Sequence, residues 1–294
     1  MLTIDPLEVS VPRMQAVLQG AVGPRPVAFA STVDLEGNVN LSPFSFFNVF
    51  SANPPVLIFS PARRVRDNTE KHTLQNLRDV PEVVINVVNY SMVQQASLAS
   101  SEYPKRVNEF LKSGFTPLAS ETIKPFRVQE SPVQFECAVQ QIISLGDKGG
   151  AGNLVLCLVK KVHISEAVLD ASLNIDQQKI DLVARMGGNW YCRAHGTALF
   201  EVEKPLTTLG VGVDSIPDSI RFSPILTGNN FGQLGNVEHI PTAEEIDLFR
   251  SSGEFDLLIE GTTYSDFAGH RLAKQLLETG NVELAWKVLL ASDH

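Results

Sequence analysis

Apolar and polar positions alternate with two different textures along the chain. From about residue 24 to 200 the apolar residues form short β-branched and aromatic runs broken by turn residues, which predicts strands. PVAFASTVD (26–34) is one such run; LEGN (35–38) interrupts it and VNLSPFSFF (39–47) resumes it. Gly37-Asn38 between them predicts a β-hairpin. PVLIFSP (55–61) and EVVINVVN (82–89) are further strands, separated by a basic loop, ARRVRDNTEK (62–71), and a short helix, HTLQNLRDVP (72–81), with Thr73 as its N-cap. SMVQQASLAS (91–100) and RVNEFLKSG (106–114) are expected to be short helices, the second ended by Gly114. VQFECAVQQIISLG (133–146) and NLVLCLVKKVHIS (153–165) are long strands joined through DKGGAG (147–152).

After about residue 205 the spacing changes. Residues 211–236, rich in Gly, Pro and Asn, are expected to form a loop. PTAEEIDLFRSS then opens with a capping box, Thr242 and Glu245. Residues 262–280 put Phe267, Leu272, Leu276 and Leu277 on one helical face with Gly280 closing it, and NVELAWKVLL follows with Asn281 as cap. The expected architecture is mainly β with peripheral helices over residues 1–205, followed by a loop-rich linker and a helical C-terminal extension over 206–294.

NLSPFSFFNVFSANPPVLIFS (40–60) departs from the strand pattern. It is apolar enough for a core, yet Ser42, Ser45, Asn48, Ser51 and Asn53 recur in it and Pro54-Pro55 interrupts it. A loop that is dry and polar at once suits a flat aromatic ligand with a polar edge. One strand away, Arg63, Arg64, Arg66, Lys71 and His72 form a basic cluster that ends where a helix begins. Free N–H groups at a helix start, with cations nearby, suit a phosphate monoester. The two features together are what a mononucleotide such as FMN requires.

Composition narrows the choices further. With 294 residues, 44% hydrophobic and 19% charged, the chain has the balance of a globular protein, and its net charge of −9 gives no overall basis for binding nucleic acid. No apolar run approaches the roughly 20 residues of a membrane span. MLTIDPLEVS lacks the basic start and apolar core of a signal peptide, so a cytoplasmic location and no membrane partner are expected. The cysteines, Cys137, Cys157 and Cys192, are too dispersed for a disulfide framework, and the histidines show no metal-ligand spacing, so no metal site is expected. GDKGGAGN (146–153) lies between strands and therefore suits a hairpin better than a nucleotide loop. No GxSxG elbow is present.

Several segments carry a family resemblance. GPRPVAFASTVDLEGNVNLSPFSFFNVFSANPPVLIFS (23–60) resembles the signature of the flavin reductase-like family, which binds FMN on a split β-barrel. KHTLQN (71–76) is similar to the family's Lys-Asp-Thr-x-x-Asn, with His72 in the place of Asp, and RVNEFLKSGFTP (106–117) to the segment that follows. RVQESPVQFEC (127–137) resembles its Glu-Ser-Pro strand entry, and VARMGGNWYCR (183–193) its Arg-x-Gly-Gly-x-x-Tyr segment. The resemblance implies that Ser45, Phe46, Phe47 and Asn48 line the isoalloxazine and ribityl chain, with Thr32 facing the same pocket. It assigns the phosphate to Ser60, Arg64, Lys71 and Thr73, and places Arg25 near the flavin. Arg185 and Tyr191 are implied flavin or dimer contacts.

A flavin carries the redox chemistry itself, so no catalytic acid or base is expected from the protein. The resemblance implies an FMN-binding, NAD(P)H-dependent oxidoreductase of the flavin reductase type. Hydride would come from NADH or NADPH, and electrons would pass to a small-molecule or protein acceptor. It also implies a homodimer. An FMN-binding electron carrier or sensor without its own NAD(P)H turnover is the alternative.

Overall fold

The β-branched runs assemble into one seven-stranded antiparallel sheet. In chain order its strands are β1 (Ala28–Val33), β2 (Val39–Phe44), β3 (Phe47–Ala52), β4 (Pro55–Phe59) and β5 (Glu82–Val87), then β8 (Val133–Ser144) and β9 (Asn153–Ile164). Short pairs, β6 (Pro117–Leu118) with β7 (Arg127–Val128) and β10 (Leu182–Arg185) with β11 (Tyr191–Ala194), stand apart from it. This computed structural model describes residues 1–259 and 267–292. The chain divides into two units, Met1–Phe200 and Glu201–His294, against a boundary expected after residue 205.

The strand order is β2-β1-β5-β8-β9-β4-β3, so β2 and β3 are the two outer edges. They are also consecutive in sequence, joined only by Ser45 and Phe46. Two residues cannot cross the width of a flat seven-stranded sheet, because paired strands lie about 4.8 Å apart. The sheet is therefore rolled until its edges approach, yet β2 and β3 do not pair and the roll stays open.

Strand β1 is buried along its whole length, which its small and apolar residues permit. Ala28 and Ala30 face a cluster with Phe44, Phe59, Ile85 and Cys157, whereas Phe29 faces another with Leu41, Phe110 and Phe115. The second cluster is covered by α3 (Val93–Leu98) and α4 (Glu109–Ser113), and α4 ends at Gly114 in the left-handed conformation. Asp34 accepts the Glu36 and Asn38 N–H groups and shapes the expected β1–β2 turn, in which Gly37 has φ 84°. β8 and β9 form the expected long hairpin around residues 147–152.

Three expectations need correction, and one helix before the sheet was not foreseen. The 40–60 stretch is mostly strand; the only break between β2 and β3 is Ser45-Phe46, and its polar residues mark an exposed edge rather than one continuous loop. A helix not foreseen, α1 (Val11–Ala21), precedes the sheet, started by Ser10, whose side chain accepts the Arg13 N–H. Helix α2 (His72–Asp79) has Lys71 at its N-cap with no side-chain cap, while Thr73 lies inside the first turn and its hydroxyl donates to Asn40. Finally, the 211–236 loop contains α6 (Asp218–Arg221) and α7 (Gly228–Gly235), the latter opened by a Thr227–Asn230 capping box. A short α5 (Gln177–Ile180) precedes β10.

The second unit has its own apolar core. Besides α6 and α7 it contains α8 (Ala243–Ser251), α9 (Glu254–Ile259), α10 (Ala268–Glu278) and α11 (Val282–Ser292). The Thr242–Glu245 capping box forms as expected, and the Asn281 side chain accepts the Leu284 N–H. Trp286 is fully enclosed among Ile220, Leu234, Leu277 and Leu289, and its indole N–H donates to the Leu234 carbonyl at 3.1 Å. Leu272, Leu276 and Leu277 join this core, whereas Phe267 lies outside it with its edge toward His270. The expected helix over 262–280 is described only from 267 onward, since 260–266 lie outside the described residues.

Candidate functional site

The open seam of the sheet and the basic loop face one groove. Its volume is about 400 Å³, and its wall includes Ser45, Phe46, Ser60, Arg64 and Lys71. Ser45 and Phe46 come from the link between the two edges. Ser60 follows β4, and its N–H donates to the Phe46 carbonyl at 2.8 Å, which continues the β3–β4 pairing to the rim. The Ser60 hydroxyl accepts the Asn153 N–H at 3.0 Å, so the start of β9 fixes it.

The loop 61–71 is held by hydrogen bonds of its own and by the β8–β9 turn. Arg63 donates to Glu70 at 2.7 Å and to Asn68, while Arg64 donates to the Thr69 hydroxyl at 2.8 Å and the Glu70 carbonyl at 3.1 Å. From the turn, the Gly150 N–H donates to the Arg63 carbonyl and Arg63 N–H donates to the Ala151 carbonyl. The approach is close enough to require glycine: a Cβ at Gly149 would lie 2.9 Å from the Val65 carbonyl oxygen and 3.0 Å from that of Arg64. The glycine-rich segment thus serves as a hairpin turn that braces the basic loop.

Charge in the groove is unevenly compensated. Glu102 lies 3.2 Å from Arg64 and 2.8 Å from Arg66. The Lys71 side chain is half-buried, and its amine makes no hydrogen bond or ion pair with any described residue. Burial, then the neighbouring Arg64, pushes its pKa below the usual lysine range. His72 is pushed down in the same way, by burial and then by Arg64, Lys105 and Lys71. The local field is therefore positive within an acidic chain. Helix α2 starts at the same place with no side chain capping its first N–H groups, an arrangement that attracts anions.

A second, smaller recess shares Arg64, Lys71 and Glu102 and adds Thr73. Thr73 is buried and donates to Asn40 Oδ1 at 2.7 Å; Asn40 in turn donates to Glu109 at 3.0 Å. Thr32 is also buried and accepts from Asn76 of α2 at 3.2 Å. These hydroxyls bind α2 to the sheet beneath the groove.

The remaining expected residues lie elsewhere. Phe47 packs against the core cluster of Phe44 and Phe59, and Asn48 is exposed on β3, where its side chain accepts the Val49 N–H. Arg25 is buried and donates to the carbonyls of Gln19, Val22 and Met186, which ties the end of α1 to the β10–β11 region. Arg185 bridges to Arg25 through the backbone and stacks over Tyr191 at 4.8 Å. None of these five residues is in the groove wall. Three polar groove residues were missed in the sequence: Gln15 and Gln19, one turn apart on α1, and Glu102. Ser10 and Pro12 at the start of α1 were the available signal for the first two.

Residues 22–182 match the flavin reductase like domain, more than half of the chain. The chain belongs to the flavin reductase-like family. An uncharacterised protein of Halalkalibacterium halodurans is 33% identical over 205 residues, covering 69% of this chain and 97% of that protein. Among solved structures, nitrilotriacetate monooxygenase component B from Bacillus cereus matches with a TM-score of 0.64 and 29% identity, over 69% of this chain and 98% of its own. The Pseudomonas fluorescens 2-nitrobenzoate 2-nitroreductase NbaA matches in fold, with a TM-score of 0.61 and 24% identity over 71% of this chain and all of its own. The rolled, open sheet is thus the split barrel of flavin reductase-like proteins, a flavin-binding family. The family match ends before the second unit begins. No described helix is long and apolar enough to cross a membrane.

Proposed function

We infer that this flavin reductase-like protein binds FMN in the seam groove and acts in the cytoplasm as an NAD(P)H-dependent oxidoreductase. The observation that carries this reading is Lys71: a half-buried cation with no partner among the described residues, beside Arg64 and at the uncapped start of α2. Such a group fits a terminal phosphate monoester. Lys71, Arg64 and the first N–H groups of α2 would hold the phosphate, with Ser60 at the rim. Ser45 and Phe46 would flank the ring system, and the aromatic side chain would exclude water from it. Thr32, Thr73 and Arg25 act as positioning residues: the two hydroxyls are hydrogen-bonded to Asn76 and Asn40, and the terminal nitrogens of Arg25 donate to backbone carbonyls of the scaffold.

Bound FMN supplies the capacity to take a hydride from NADH or NADPH and to pass electrons on. The protein's part is to bind, orient and dehydrate. The likeness to a monooxygenase component in Bacillus cereus supports a protein acceptor alongside small-molecule ones. A homodimer is part of the proposal. Its support is the free edge of β3, where Val49 and Phe50 are each 64% exposed beside unpaired backbone.

The test is spectroscopic. The purified protein, alone or after addition of FMN, should show a flavin absorbance band that bleaches anaerobically with NADH or NADPH. Failure to take up FMN would overturn the reading. Uptake without bleaching by either nucleotide would replace the reductase with an electron carrier.

A further inference from the structure

Glu102 is an acid in a groove wall whose other charged side chains are Arg63, Arg64, Arg66 and Lys71. It comes from the connection between α3 and α4, not from the basic loop itself. Its carboxylate takes the Nε of Arg64 at 3.2 Å and Nη2 of Arg66 at 2.8 Å. It also lines the smaller recess beside Lys71.

This contact is not needed to build the loop. Arg64 is separately oriented by the Thr69 hydroxyl and the Glu70 carbonyl, and Arg63 is held by Asn68 and Glu70. The Glu102 side chain is about half exposed, so it can leave without opening a cavity. What it does occupy is Arg64, which an entering phosphate would also use, together with Arg66 beside it, which Asp67 also pairs at 3.2 Å. A dianion and this carboxylate cannot both saturate Arg64 and Arg66 without like charges in contact.

We propose that Glu102 is an internal competitor for the phosphate end of the groove, holding Arg64 and Arg66 until a phosphate-bearing ligand displaces it. Flavin affinity is thereby set below what the basic cluster alone would give, and the flavin exchanges readily with solution. This deepens the FMN reading above and rests on it.

The experiment compares the full-length protein with Glu102→Gln and Glu102→Ala, measuring dissociation constants and release rates for FMN and for riboflavin by fluorescence quenching. Both variants should bind FMN about three- to tenfold tighter, mostly through slower release, because a half-exposed ion pair is worth little and a competing charge about as much. Riboflavin affinity should stay within about twofold, since it lacks the phosphate. Inorganic phosphate should raise the melting temperature of the variants more than that of the parent. Unchanged or weaker FMN binding, or equal tightening of both flavins, overturns the proposal while leaving the flavin site standing. If the parent protein binds neither flavin, the FMN reading falls and this one falls with it. Either variant suffices, so misfolding of one does not protect the idea.

Discussion

Replacing Lys71 by Met removes an amine and keeps most of its aliphatic stem. In the free protein that amine is half-buried next to Arg64, and both burial and Arg64 disfavour its charge. Deleting it should therefore leave the folded state as stable as before or more stable by up to about 1 kcal/mol, the scale of an exposed charge pair. Binding should respond in the opposite sense. A hydrogen bond to an ionised partner contributes about 1.5–3 kcal/mol, so FMN affinity should fall roughly 10- to 150-fold. Riboflavin has the same ring and chain without the phosphate and should bind Lys71→Met as it binds the parent. Flavin titration at two salt concentrations together with a thermal melt decides the matter, because the salt dependence of FMN binding should also weaken in the variant. Equal losses for both flavins would refute the assignment of the phosphate end. So would a clear drop in melting temperature, which would make Lys71 a structural residue.

Other consequences are testable on the same protein. Glu136 is fully buried; that burial raises its pKa, but hydrogen bonds from Thr122, Glu121 and His163 outweigh it and bring it to about 2. Since the folded value lies below the unfolded one of about 4.3, its contribution is present above that pH and is lost as pH falls toward 2; it amounts to about 3 kcal/mol. Chemical denaturation between pH 6 and 2 should show this loss, and Glu136→Gln should be less stable at pH 6 with a flatter profile. Gly149→Ala, whose Cβ would press on the Arg64 and Val65 carbonyls, should cost about 1–3 kcal/mol and weaken FMN, read by melting and titration together. Phe50→Asp, on the exposed edge strand, should shift the proposed dimer toward monomer in light scattering with little change in the melting of the β-sheet unit.

Much of the sheet was legible because strands such as EVVINVVN and NLVLCLVKKVHIS are bounded runs of β-branched residues with clear turns between them. The caps of α8 and α11 were legible for the same reason, as local chemistry. What escaped was set by contacts distant in sequence. α1 escaped although Val11, Met14 and Leu18 recur at helical spacing; it buries none of its residues fully, and Arg25, which lies outside that pattern, reaches the carbonyls at its end. α7 is written in Gly and Asn, and its Thr227–Asn230 box was hidden among residues that usually mark loops. Thr73 has the chemistry of a cap, but buried Asn40 claims its hydroxyl. At the site, the basic cluster was readable as a cluster. That Glu102 lies across it depends on the fold bringing residue 102 to residues 64 and 66.

The Ser45-Phe46 link works as a covalent clasp. Three successive Cα–Cα steps of 3.8 Å limit the separation of Phe44 and Phe47 to about 11 Å, so at that end the barrel mouth is sized by peptide geometry. Hydrogen bonds do not set that limit. Inserting several glycines between Ser45 and Phe46 would keep every strand pairing and loosen only the clasp. The mouth would be free to widen, and any ligand gripped there would be released faster although no contact residue had changed.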